Sequence, residues 1–323
     1  MTTMIRERTG RSTVKPPNRQ GSGWSTALML SPTLLTLALV VGYPVLAAVR
    51  LAFVQVADQV NPQTGMLERT ESFGLGNFAG IFTGESGEAF RNAFWNTTLF
   101  TVIGVTAEVV LGVAMALVMN RAIRARGLVR VSVLVPWAIP TAISGLLWRW
   151  VFESDGIANA VLHTQVVWTA DDSTIFGFIS APFTTVLIAD IWKTAPFIGL
   201  LVLAGLQIIP KEVYEAAKID RAGTWATFWR ITIPLVKPTL VVAVLFRILD
   251  ALKMFDLPFV LVGAHKHSVE TLSTLAQYEM SNVRYGPAAA YSTVLFLYIA
   301  LIAFLFVKVL GADLIGRGLK ESR

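Results

Sequence analysis

The sequence predicts an all-α integral membrane protein with six transmembrane helices and both termini on the cytoplasmic face. Three observations carry that expectation: an apolar composition, six runs long enough to cross a bilayer, and basic residues gathered on alternate sides of those runs. Of 323 residues, 54% are hydrophobic and only 15% are charged, and mean hydropathy is positive. Soluble domains carry about 25% charged residues.

Crossing a hydrocarbon core of about 30 Å takes about 20 apolar residues in a helix. Runs near 25–49, 96–119, 129–151, 182–207, 236–262 and 288–310 qualify. The first follows a polar, basic leader, residues 1–23, with Arg6, Arg8, Arg11, Lys15 and Arg19. It is too long for a signal-peptide core, so it reads as an uncleaved signal anchor. The leader is rich in Arg, Pro, Gly and Ser and is expected to be disordered. Residues 24–312 form one membrane domain without internal repeats, and 313–323 form a cytoplasmic tail.

An inside N-terminus places the leader, the loop Arg121–Arg130, the segment 208–235 and the tail on the cytoplasmic side. Most Lys and Arg residues lie there, as the positive-inside rule requires. The net charge of +6 therefore reflects topology beside a lipid bilayer and does not point to nucleic acid. With no cysteine, disulfides, thiolate nucleophiles and cysteine-ligated metals are excluded.

The external segment 50–95 contains "FGLGNFAGIF" and "EAFRNAFWNTTLF", which read as a turn followed by a short amphipathic helix. Prolines punctuate several spans: Pro136, Pro140, Pro196 and Pro258. Within a membrane such residues are tolerated where neighbouring helices or a cavity satisfy the freed carbonyl, and transporters use broken helices near the midplane.

Glu108, Arg149, Asp190, Lys193, Arg247, Asp250, Lys253 and Asp256 fall inside the runs. Each charge at the bilayer centre costs about 2.5–3.5 kcal/mol on insertion scales, so these groups should pair or line a hydrated cavity. Asp190 and Lys193 are i, i+3 on one helix, and Arg247, Asp250, Lys253 and Asp256 continue that spacing along the fifth run. Trp192, Phe197 and Phe255 lie beside them. Aromatic faces with fixed polar groups suit a polyhydroxylated solute. The competing expectations are structural ion pairs and an ion-coupled transporter relaying protons through Asp190, Asp250 and Asp256. Arg149, between two tryptophans, reads as an interfacial anchor.

No G-x-x-x-x-G-K-[ST] motif occurs, so the chain carries no P-loop of its own for ATP. The histidines, His163, His265 and His267, all fall in external segments, where a solvated loop is a simpler reading than a metal site.

Between the fourth and fifth runs lies "EAAKIDRAGTWATFWRITIP". A short helix opening near Lys211 would present Val213, Ala216 and Ala217 on one face, small enough for a close fit in a partner's groove. The segment resembles the cytoplasmic EAA loop of the membrane subunits of ABC importers, with Glu215, Ala216, Ala217, Ile231 and Pro234 at matching spacings. The family glycine falls at Arg221, and Gly223, two residues on, is the candidate to take over the bend. Further stretches, among them "YPVLAAVRLAF", "PWAIPTAISGLLWRWVF" and "YGPAAAYS", are similar to the sugar-importing branch over residues 25–310. "DIWKTAPF" and "FRILDALKMFD" are most similar to mycobacterial trehalose importers.

The resemblance implies a bacterial inner-membrane permease without its own ATPase site. It also implies a second homologous permease subunit, two copies of an ATP-binding subunit carrying ATP and Mg, and an extracytoplasmic sugar-binding protein. Sugar-facing positions carry over to Lys193, Thr194, Phe197, Asp250 and Lys253. Coupling to the ATPase carries over to Glu215, Ala216, Ala217, Asp220, Gly223 and Pro234.

Overall fold

The computed structural model describes residues 23–60, 67–121, 126–170, 174–175 and 179–311. The tail and all but the last residue of the leader lie outside them. The chain divides into two units, up to Ala48 and from Val49 onward.

The first unit is helical: α1 (Gly23–Leu37), a π-turn (Ala38–Gly42) and the start of α2 (Tyr43–Ala52). The π-turn has a local cause. Pro44 has no N–H to offer and its ring crowds the carbonyl one turn back, so the helix widens by one residue, with Tyr43 N–H bonded to the Ala38 carbonyl. Leu28, Met29, Leu34, Leu39 and Val40 are all mostly exposed, as side chains that face lipid are.

The second unit opens with a departure from the all-helical expectation. Upstream of the stretch read as a turn, two strands pair as an antiparallel hairpin, β1 (Val54–Val60) and β2 (Leu67–Phe73), with Val54 opposite Phe73 and Val60 opposite Leu67, and most of the turn stretch itself, 73–82, is helical. Val54, Val56 and Val60 recur at even spacing along β1, as on one face of a strand. Phe53 stacks on Phe73 at 5.5 Å, and Asn77 Nδ2 donates to the Val54 and Ala52 carbonyls at 2.7 and 3.0 Å. After α3 (Gly76–Ile81), the amphipathic helix expected before the second run is continuous with it in α4 (Gly84–Asn120). Its 37 residues extend about 55 Å, well beyond one hydrocarbon core.

The third run is broken. Helices α5 (Arg126–Ala138) and α6 (Thr141–Val151) meet at 92°, because Pro140 disfavours helical backbone at Ile139 and itself adopts an extended conformation (φ −54°, ψ 140°). Next come α7 (Ile157–Leu162), a two-residue pair β3 (Thr174–Ile175) with β4 (Ile179–Ser180), and α8 (Ala181–Ile208). Ser180 Oγ caps α8 by accepting from the Phe183 N–H at 3.3 Å.

The cytoplasmic-type segment forms α9 (Lys211–Ile219), α10 (Thr224–Thr227) and a π-turn (Phe228–Thr232), again just ahead of a proline, Pro234. The fifth run does not continue to 262. Helix α11 (Ile233–Leu252) stops and α12 (Asp256–Leu261) restarts, placing Pro258 in a first turn, where a missing N–H costs nothing. A 3₁₀ turn (His267–Val269), α13 (Leu272–Ser281) and α14 (Tyr285–Phe306) complete the described residues with a last π-turn (Val307–Gly311). Among the described residues, five helical stretches are long and apolar enough to cross a membrane, and the bent α5–α6 pair makes six when counted as one span.

Helix α8 packs against α4, α5 and α11. The α4–α8 seam is closed by small residues, as membrane helices require for close backbone approach. A Cβ added at Gly112 would lie 2.8 Å from the Ile198 side chain, and one at Gly199 would lie 3.2 Å from the Gly112 carbonyl. On the face away from α9, α4 also holds the α12–α13 connection: Asn92 and Asn96 donate to the His267 carbonyl at 2.7 and 3.0 Å, and Asn96 to that of Glu270 at 3.1 Å. His265 is not simply solvated, since its Nδ1 lies 2.7 Å from Glu270 Oε1 and its ring stacks on Tyr278. Among the described residues no cluster of His, Cys, Asp and Glu is fit to hold a metal.

Gly112→Ala should therefore lower stability by about 1–3 kcal/mol through overpacking. Thermal unfolding of the detergent-solubilised protein checks this against Gly80→Ala, whose added Cβ meets nothing within 4 Å.

Candidate functional site: a charged hub beside a polar cavity

Three helices each supply buried charge to one cluster. Glu108 of α4, Asp190 of α8 and Arg247 of α11 are 0%, 5% and 3% exposed. Arg247 Nε donates to Glu108 Oε2 at 2.5 Å and Nη2 to Glu108 Oε1 at 3.0 Å, while Nη2 also donates to Asp190 Oδ2. Its remaining terminal nitrogen, Nη1, reaches Asp250 Oδ2 at 3.3 Å. Thr194 Oγ1 lies 2.7 Å from both Glu108 Oε1 and the Asp190 carbonyl. A forked guanidinium suits this many acceptors, which one ammonium does not.

The sequence ladder is thus partly rewired. Asp190 pairs with Arg247 on another helix and not with Lys193 on its own. Lys193 instead donates to the Ile139 carbonyl at 2.5 Å, the group freed where Pro140 breaks the α5–α6 crossing. Arg247, Asp250 and Lys253 do keep their i, i+3 contacts, with Lys253 Nζ 3.7 Å from Asp250 Oδ1. Asp256 is cut off from the ladder by the helix break and opens α12.

Beside the hub lie two adjoining cavities. One, about 320 Å³, is bounded by Thr141, Asp190, Lys193, Thr194, Asp250, Lys253 and Phe255, among others. Its neighbour, about 380 Å³, shares Thr194, Arg247, Asp250 and Lys253 and adds Trp137, Phe197 and Phe246. Ligand sites typically occupy about 300–1,000 Å³. All five residues expected to face sugar line this space. Of these, the Asp250 and Lys253 side chains are 62% and 64% exposed.

The aromatic lining differs from the expectation at one residue. Trp192 turns away, edge-on to Trp148 at 5.5 Å. Trp137 takes its place, stacked on Phe197 at 5.8 Å. Its position between Pro136 and Pro140 was the available signal, because a broken crossing turns its neighbouring side chains toward a cavity. Arg149 is exposed, as is the flanking Trp150 at 72%, whereas Trp148 packs on Phe152 and Trp192.

The coupling-loop residues form a separate site. Thr194 is about 20 Å along α8 from the end at Ile208, after which α9 begins. Glu215 and Ala216 are exposed on α9, whereas Ala217, expected to face a partner, is 5% exposed and packs within this chain. Ile219 and Trp225, missed from sequence, extend the exposed face at 81% and 74%. Asp220 is the C-cap of α9, and Pro234 is exposed at the start of α11.

Arg221 itself takes the family glycine's conformation, with φ 55°. Ala222 N–H bonds to the Ala217 carbonyl at 2.9 Å and Arg221 N–H to that of Lys218 at 3.0 Å, the two bonds of a Schellman helix ending. Gly223 does not take over the bend. It is extended (φ −64°, ψ 157°) and caps α10.

Apolar helices long enough to cross a membrane, a polar cavity among them and an exposed amphipathic helix are the features of a membrane transport subunit. Residues 108–319 match the family described as binding-protein-dependent transport system inner membrane component, and the chain belongs to that family. The chain is 38% identical to the trehalose/maltose transport system permease protein MalF of Thermococcus litoralis over 226 residues, 67% of this chain and 74% of that one. It is 33% identical to the trehalose transport system permease protein SugA of Mycobacterium tuberculosis over 294 residues, 88% of each chain. The fold is similar to that of a chain in a bacterial ABC transporter involved in the import of the acidic polysaccharide alginate. That match has a TM-score of 0.71 at 22% identity and covers 90% of this chain and 94% of the other. Family membership sets aside ion-coupled transport as the reading of the membrane charges.

Two substitutions test the geometry. Lys193→Met leaves the Ile139 carbonyl without its donor and should cost about 1–3 kcal/mol in thermal unfolding. Arg221→Gly relieves the left-handed backbone strain of a non-glycine residue and should stabilise the α9 terminus by about 1–2 kcal/mol, seen as slower hydrogen exchange at the Ala222 amide.

Proposed function

We propose that this chain is one of two similar membrane subunits of an ATP-driven importer for a disaccharide of the trehalose type. Its partners would be the second permease, two copies of an ATPase subunit that holds ATP and Mg, and an extracytoplasmic sugar-binding protein. The chain contributes no ATPase site, consistent with the lack of a P-loop in its sequence.

The observation that carries the substrate reading is the cavity lined by Lys193, Thr194, Phe197, Asp250 and Lys253. Asp250 accepts from sugar hydroxyls, and the ammonium groups of Lys253 and Lys193 donate to sugar oxygens. Thr194 has its single proton committed to Glu108 or the Asp190 carbonyl, so it faces the cavity as an acceptor. Trp137 and Phe197 offer a flat surface for C–H faces. Such a set selects a neutral polyol, because the mixed charges in the lining favour neither an anion nor a cation.

Coupling acts from the other end of α8. The exposed face of α9, with Glu215, Ala216 and Ile219, docks on the ATPase subunit, and closure of that subunit moves α9 with the rigid Schellman turn behind it. Glu215, Asp220, Gly223 and Pro234 set the register and the exit into α11. Motion at α9 reaches Lys193 and Thr194 through the continuous α8, and Asp250 and Lys253 through α11.

Asp250→Ala should abolish trehalose uptake by the reconstituted complex while co-purification of the partner subunits is unchanged. Normal uptake by this variant would refute the site. Purifying the chain from its native membrane and finding no ATPase subunit with it would refute the machine.

A further inference from the structure

We infer that Arg247, gripped by Glu108 and Asp190, is the positioning residue for the Asp250 carboxylate, so that the buried hub serves substrate handling as well as helix packing. This rests on the sugar-site reading of Asp250.

The geometry separates the tethers on Asp250 by quality. Lys253 approaches Oδ1 at 3.7 Å from a side chain 64% exposed, a screened and mobile contact. Arg247 approaches Oδ2 at 3.3 Å from a side chain 3% exposed. The guanidinium cannot swing, because Nε and Nη2 are committed to Glu108 and Asp190 on two other helices. Its one outward-facing terminal nitrogen therefore fixes where a 62% exposed carboxylate points. Thr194 Oγ1 also lies 2.7 Å from Glu108 Oε1, so a second cavity-lining residue touches the same hub.

Packing alone does not call for this arrangement. Apolar side chains of similar volume often replace a buried ion pair without loss of stability, and the α4–α8 seam is already closed by glycine and alanine. What apolar residues cannot supply is a fixed donor at the cavity wall.

The test uses the complete complex in proteoliposomes with its binding protein, measuring labelled trehalose uptake and ATP hydrolysis per assembled complex. Arg247→Lys keeps the charge but lacks the fork needed to hold Glu108, Asp190 and Asp250 together. Expected is about a tenfold fall in trehalose moved per ATP hydrolysed, with binding-protein-stimulated hydrolysis within about twofold of the parent. Equal uptake, or uptake and hydrolysis falling in the same proportion, would overturn the inference.

Where Arg247→Lys does not assemble, the combination Arg247→Met, Glu108→Gln and Asp190→Asn leaves no charge within the buried triad and should show the same uncoupling. Failure of both to assemble would assign the hub to folding alone and would equally overturn the inference. Asp250→Asn distinguishes the two levels of the argument. Normal coupling in that variant defeats the sugar site itself, whereas uncoupling by Asp250→Asn with normal coupling in Arg247→Lys defeats only the positioning role.

Discussion

A guanidinium buried in the middle of a membrane protein has to be neutralised, and much of this fold follows from how Arg247 is. Leaving it unpaired in a low-dielectric interior would cost several kcal/mol. Its acceptors come from three helices, so α4, α8 and α11 must meet at one depth and one rotation. The close α4–α8 seam at Gly112 and Gly199 permits that meeting, since bulkier residues would hold Glu108 and Asp190 too far apart to share one partner. The same convergence leaves the polar faces of α8 and α11 turned toward a common space, which is the cavity.

Proline supplies the complementary constraint. Pro140 breaks the helix and strands the Ile139 carbonyl, which a donor from a neighbouring helix satisfies. Lys193 is that donor, and its presence ties the α5–α6 elbow to the cavity wall. The π-turns before Pro44 and Pro234 show the milder outcome, in which the helix absorbs the missing N–H by widening one turn.

Past the far end of α8 the pattern of exposure changes: α9 carries small and apolar residues on its surface that a helix packed inside the chain would bury. Glu215, Ala216 and Ile219 are free at the surface while Ala217 anchors α9 to its own chain. Arg221 holds the turn that follows in a left-handed conformation that glycine would adopt without strain.

Sequence by itself determined the crossings, the EAA segment and the set of charged residues that must find partners, because bilayer thickness and the cost of unpaired charge act on composition and local spacing. It determined less about breaks and pairs. The elbow at Pro140, the early stop of α11 at Leu252 and the hairpin at β1–β2 each depend on which neighbour satisfies a freed backbone group. Tertiary structure alone decided that Asp190 belongs to Arg247 and Lys193 to Ile139, that Trp137 and not Trp192 faces the cavity, and that Gly223 is not the bend. Glu108 and Arg247 lie 139 residues apart, and local periodicity places a charge on a helix face but does not say which distant helix brings the opposite charge within hydrogen-bonding reach.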